Sequence, residues 1–188
     1  VENCAKVAEA LLGRRLNANL DAHVQNVLEI AHVLVRKVEV VGNHGRVLAQ
    51  PANGDALDAA ATEHFEEVLL VGHIGKLVKV AGGIMNTHSR MADCRTELFC
   101  TYAALAGAKK EVCEALMQAA TTDACLDILD QNGLREPVMH GLINAVQLHL
   151  ERRAAGAFQV GAVLFSNQTG PLGQTETAEK LLQKWKES

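Results

Sequence analysis

Residues 68–83, VLLVGHIGKLVKVAGG, decide how this chain is read. The apolar run 68–71 suits a buried strand, and Gly72 punctuates it. Helical spacing resumes from about Lys76 to Ala81, where Gly82-Gly83 breaks it. A strand that passes through a glycine turn into a helix is the first half of a βαβ unit. The same pattern stands earlier in the chain: Val40-Val41-Gly42-Asn43-His44-Gly45-Arg46 matches Leu70-Val71-Gly72-His73-Ile74-Gly75-Lys76 in order of residue type. Each unit reads apolar, Val, Gly, two variable residues, Gly, then a cation. If both strands share a parallel sheet, both glycine loops leave its C-terminal edge, where open α/β sheets bind ligands. Two such loops, with Arg46 and Lys76, would make an anion cradle. Two ordinary strand-to-helix turns that need glycine are the plainer account.

Working outward, 38–41 and 158–165 read as further strands. Helices are expected after Asn3 up to Gly13, from about Asp21 through Leu34, from Asp55 to Phe65, from Ser89 to Ala106, and over 109–120 and 123–131. Two more run from Pro137 to near Gly156 and over 175–186. The expected fold is α/β: a parallel or mostly parallel sheet with helices on both faces and Gly-rich strand-to-helix loops at one edge. One domain spans 1–188, with 1–37 a helical lead-in and 38–188 the core.

Composition narrows the function. The chain has 188 residues, 48% of them hydrophobic, which is enough for one buried core. Aromatics are 3%, so Ala, Val and Leu fill it. A formal charge of −4 argues against a general nucleic-acid binder. No apolar run is long enough to span a membrane and no leader opens the sequence, so a cytoplasmic location is expected. The chain starts at Val1, as a processed protein or a piece of a longer one would. Five cysteines without a CxxC pair suit free thiols in a reducing compartment.

Familiar catalytic signatures are missing. Leu77 follows Lys76, so the loop is not a Walker A motif, and neither loop is GxGxxG. There is no HExxH, GxSxG or zinc spacing, and no protein metal site is expected. His23, His32, His64, His140 and His149 sit in helical patterns, whereas His44, His73 and His88 fall in polar loops. Asn86-Thr87-His88-Ser89-Arg90 precedes the expected long helix. Capping explains one of these residues, not all. Asp93, Arg95 and Glu97 read either as a solvated charged face or as part of a site. By chemistry and location, His73, His88 and Asp93 are the catalytic candidates. Gly42, Asn43, Gly45, Arg46, Gly72, Gly75, Lys76, Asn86, Thr87, Ser89, Arg90 and Arg95 are the binding candidates.

GHIGKLVKVAGG, then NTHS, ADCR and Glu97, and the helix TYAALAGA resemble the CbiD family, the cobalt-precorrin-5B C1-methyltransferases of anaerobic cobalamin synthesis. The likeness is specific over 67–108 and looser over 38–66, where GNHGR is similar to a family glycine turn, and over 109–188. The family's N-terminal half, with its Thr-Thr-Gly-rich segment, has no counterpart here, so the chain resembles a C-terminal portion. The resemblance implies S-adenosylmethionine as methyl donor and cobalt only within the substrate. It implies the cobalt-precorrin and the missing N-terminal half as partners, with homo-oligomers open and neither nucleic acid nor membrane. Arg46, Lys76, Lys79, Arg90 and Arg95 would then meet the carboxylate arms of the macrocycle. The alternatives are a non-catalytic tetrapyrrole- or anion-binding α/β module and a phosphate-binding enzyme using the glycine loops.

Overall fold

A computed structural model describes residues 6, 7, 9–11, 13, 32–36, 45–48, 53–62, 64–90 and 92–187. The order of elements is β1 (His32–Arg36), β2 (Gly45–Leu48), α1 (Asn53–Thr62), β3 (Glu67–His73) and α2 (Ile74–Leu77), which continues as a 3₁₀ turn (Val78–Gly82). Then come α3 (Arg95–Leu105), α4 (Lys110–Met117), α5 (Thr122–Gln131), α6 (Arg135–Ala154), β4 (Gln159–Ser166), β5 (Gly170–Gln174) and α7 (Glu176–Lys186).

The sheet order is β2-β1-β3-β4-β5. β3 and β4 are parallel, from Glu67 beside Gln159 to His73 beside Phe165. Every other pairing is antiparallel, which corrects the expectation of a mostly parallel sheet. Short connections account for two of the three antiparallel pairs, β1/β2 and β4/β5. β1 and β2 are adjacent and antiparallel, as a short link between neighbouring strands requires, and β4 turns directly into β5. The long helical stretch between β3 and β4 is what a parallel pair needs.

β3 is buried along its length because both its faces are covered. Val68 and Leu70, with Val160, Ala162 and Leu164 of β4, join a core that includes Phe99, Leu126 and Leu142 from the helices α3 to α6. Leu69 and Val71, with Val163 and Phe165, face Leu181, Leu182 and Trp185 of α7, with Val7 and Leu11 packed against them. The alternation follows the two-residue period of a strand, and burying each large aliphatic contributes about 1.5–3 kcal/mol. Thr175 ties α7 to the sheet: its Oγ1 accepts from Ala162 N at 3.0 Å and from Ala178 N at 3.3 Å. Glu176 and Glu179 open α7, and Lys184 and Lys186 close it, matching the helix dipole.

Several boundaries differ from the sequence reading. Residues 32–36 form a strand where a helix through Leu34, inside a helical lead-in, was expected; His-Val-Leu-Val-Arg is β-branched at alternate positions and pairs with β3. The expected strand 38–41 lies outside the described residues. α1 runs over Asn53–Thr62, so Asp55 is inside it and Phe65 is beyond it. Gly72 lies within β3 rather than ending it. β5, GPLGQ, has the Pro and Gly content of an edge strand rather than the alternation of a central one. The expected helix from Ser89 starts only at Arg95.

Candidate functional site

The end of β3 sets the first part of the site. His73 leaves the strand with φ −66° and ψ 139° and caps α2, its Nδ1 accepting from Gly75 N at 3.0 Å. Gly75 is closely packed in this turn: a Cβ there would stand 3.2 Å from His73 Nδ1 and 3.4 Å from Thr122 Oγ1, so a larger residue would press on the His73 ring. The imidazole is half-buried and meets Phe165 edge-on at 5.7 Å. Burial holds it below the ordinary histidine value, Asp123 opposes that, and Lys76 adds to it. A neutral ring whose Nδ1 accepts carries its proton on Nε2. It is therefore placed to donate a hydrogen bond rather than to abstract a proton.

The end of β4 meets the same place. Ser166 is buried, donates its hydroxyl to Asp123 Oδ1, and accepts at Oγ from Gln168 N at 3.0 Å and Thr169 N at 3.3 Å. Asp123 sits in the first turn of α5, whose cap Thr121 accepts from Ala124 N at 3.1 Å. The C-terminal edge of the parallel pair thus gathers His73, Gly75, Thr122, Asp123 and Ser166.

Lys79 organises the segment that follows. Its side chain is 1% exposed. Nζ donates to Ala92 O at 2.7 Å and to Thr87 O at 3.3 Å, and lies 3.9 Å from Asp93 Oδ1. Burial holds this amine below the ordinary lysine value, against the pull of Asp93. Lys79 is therefore a fastening inside the fold, not a cation offered to a ligand. It also explains the late start of α3: the carbonyls of Thr87 and Ala92 face the ammonium, while Asn86 Oδ1 and His88 Nδ1 take the amides of His88 and Arg90 at 3.2 Å each.

Asp93 and Arg95 form a two-toothed pair, Nε to Oδ1 at 2.7 Å and Nη2 to Oδ2 at 2.6 Å. Arg95 holds the Asp93 carboxyl below the usual carboxylate range, and Asp93 raises Arg95 in return. The pair borders a cavity of about 320 Å³. Glu97 and Thr96 continue the same wall, and Met117, residues 119–122 and Cys125 form the other. Burial pushes the Cys125 thiol up to about 11, so it stays protonated and unreactive at neutral pH. Cys94, Cys100, Cys113 and Cys125 all carry free thiols. Among the described residues no group of His, Cys, Asp or Glu is arranged to hold a metal ion, and no helix is long and apolar enough to cross a membrane.

The fold brings some of the expected site residues together and separates others. His73, Gly75 and Lys76 share one turn, with Gly72 just before it. Asp93 and Arg95 border the cavity, which Gly75 approaches through Thr122. Thr87 is buried beside Lys79, whereas Asn86, His88, Ser89 and Arg90 are exposed and do not line this cavity. Gly42 and Asn43 lie outside the described residues. Gly45 and Arg46 begin β2 and are not in a strand-to-helix loop. Gly45 pairs with Arg36, and Arg36 pairs with Glu67 at the start of β3. Gly45 therefore stands at the opposite end of the sheet from His73, about 20 Å away at ~3.3 Å per residue. Among the described residues, Gly45 and Arg46 thus do not join Gly72, Gly75 and Lys76 in one anion cradle. Thr121, Thr122, Asp123 and Ser166 went unread in the sequence. The run Ala120-Thr121-Thr122-Asp123 is a helix-cap signal, and a cap facing the end of a parallel pair is where such residues gain a second role.

Residues 86–176 match the family described as CbiD, C-terminal domain. A cobalt-precorrin-5B C(1)-methyltransferase of Ruminiclostridium cellulolyticum is 43% identical over 114 residues, covering 61% of this chain and 30% of the relative. The protein of the same name from Alkaliphilus metalliredigens is 31% identical over 160 residues, covering 78% of this chain and 42% of the relative. That of Methanocaldococcus jannaschii is 38% identical over 103 residues, covering 55% of this chain and 28% of the relative. The chain thus spans less than half the length of the curated relatives it matches. No solved structure matches it.

Proposed function

Starting from a chain whose residues 86–176 belong to the CbiD family as its C-terminal domain, we propose that it forms part of a cytoplasmic S-adenosylmethionine-dependent enzyme. That enzyme methylates C1 of cobalt-precorrin-5B, giving cobalt-precorrin-6A in cobalamin biosynthesis. One observation carries this reading. His73 and Gly75 stand at the C-terminal end of the parallel pair, and Asp93, Arg95 and Glu97 of the same motif line a polar cavity with a guanidinium in its wall. In this proposal the chain is one domain that works joined to the remainder of a longer protein.

The donor supplies an electrophilic methyl group: the ring carbon forms the new bond while the S–CH₃ bond breaks and its electron pair stays on sulfur. Such a displacement asks the protein chiefly for alignment. The residues here suit holding and orienting. Lys76 and Arg90 meet carboxylate arms of the macrocycle, with Arg95 also at the site, and His73 offers Nε2–H as a donor. The cavity, at the small end of the ~300–1,000 Å³ range of ligand sites, suits one arm or one end of a ligand, not a tetrapyrrole.

The test uses the full-length protein, cobalt-precorrin-5B and methyl-labelled S-adenosylmethionine. Label in the macrocycle at C1 is the expected result. Tight macrocycle binding without label transfer would instead establish a non-catalytic binding module, and saturable phosphate binding would point to the phosphate-enzyme alternative.

A further inference from the structure

We infer that the cavity between the start of α3 and the start of α5 receives the α-amino-acid head of the methyl donor, with Arg95 taking its carboxylate and Glu97 its ammonium. This rests on the methyl-donor reading above and assigns one end of that ligand to one place.

The argument is one of charge and size. The cavity wall carries one guanidinium, Arg95, and two carboxylates, Asp93 and Glu97. Both Asp93 oxygens are committed to Arg95. That pairing uses two of the five guanidinium N–H donors and leaves three. Glu97 accepts one hydrogen bond, from the Thr96 hydroxyl to Oε2 at 3.0 Å, and keeps Oε1 open. A ligand entering here meets a fixed cation and a carboxylate in the lining of one cavity. An acetate or propionate arm of the macrocycle would satisfy Arg95 but press its charge against Glu97. A zwitterion satisfies both. Met117, Ala119 and Ala120 add an apolar wall suited to the two methylenes that link such a head to its sulfur. A volume of about 320 Å³ accommodates an amino acid with room for its link to the nucleoside. Asp93 fixes the guanidinium plane before the ligand arrives, which lowers the ordering needed on binding.

The test is titration calorimetry on the full-length protein with two probes. S-adenosylhomocysteine carries the head; 5′-methylthioadenosine keeps the nucleoside and sulfur and lacks it. Wild type is expected to hold the first roughly tenfold or more tighter than the second. Arg95→Ala and Glu97→Gln are each expected to weaken S-adenosylhomocysteine by roughly tenfold or more and to leave 5′-methylthioadenosine unchanged, with Arg95→Lys intermediate. Glu97 is exposed, so its variant keeps the fold even if an Arg95 variant does not. Unchanged S-adenosylhomocysteine binding in Glu97→Gln, or equal losses for both probes, overturns this assignment alone. A wild-type protein that binds neither probe overturns the assignment and the methyl-donor reading together.

Discussion

The ammonium of Lys79, sealed from solvent, holds the carbonyl of Ala92 at 2.7 Å across thirteen residues of chain. That bond fixes the segment from which Asp93 reaches Arg95. Lys79→Met would keep the stem's volume but leave the Ala92 and Thr87 carbonyls without their donor. The expected loss is about 1–3 kcal/mol of stability, read as a lower thermal midpoint, with weaker binding at the cavity. A midpoint equal to wild type would mean water replaces the ammonium there and the fastening role is wrong.

His73 gives a pH dependence with a definite sign. Burial lowers its folded-state value below 6.5. As pH falls through 6.5 toward the folded value, the unfolded chain takes up a proton that the folded one refuses, so stability drops; above 6.5 the contribution is fully present. The thermal midpoint of the full-length protein is expected to fall between about pH 7 and pH 5.5 more steeply in wild type than in His73→Asn, which keeps a capping oxygen without the titration. Superimposable profiles for the two proteins would show that His73 does not titrate differently in the two states.

Gly161 marks the closest approach of β4 and α7. A Cβ there would lie 2.4 Å from Ala178 N and 2.6 Å from Ala178 Cα, and a backbone cannot swing aside as a side chain can. Gly161→Ala is expected to destabilise by about 1–3 kcal/mol or more, although alanine outranks glycine in a strand interior. An unaltered midpoint would mean that strand and helix separate without penalty.

Lys76→Ala addresses function more than folding. Loss of one charge-assisted contact to substrate is expected to lower methyl transfer by roughly tenfold to a hundredfold, or about 1.5–3 kcal/mol. Its thermal midpoint is expected to stay near that of wild type. Turnover equal to wild type would remove Lys76 from the site.

Much of this was legible in the residues. The apolar run before Gly72, the break at Gly82-Gly83 and the helical spacing of the later segments act through local chemistry, and the structure places a helix or strand close to each. What was not legible depended on partners distant in sequence. Nothing local in VKVAGG says that Lys79 turns inward, because its acceptors are the carbonyls of a loop not yet built. The likeness of GNHGR to GHIGK was real as a pattern, yet Gly45 begins an antiparallel strand while Gly75 sits in a helix turn. Strand direction is decided by which neighbour is available, and no short motif carries that. Asp123 and Ser166 escaped notice for the same reason: one lies in the first turn of a helix, the other ends a strand, and their meeting belongs to the tertiary fold alone.

The parallel pairing of β3 with β4 also governs the order in which the chain can assemble. On the ribosome, Val68–Val71 emerges long before its partner Val160–Val163, since residues 74–158 must be made first. Until then that flank of β3 is an unpaired apolar strand edge, the kind of surface that recruits other chains. Nascent chains stalled before Gln159 are expected to need chaperone cover and to aggregate without it, whereas chains stalled beyond Ser188 are not.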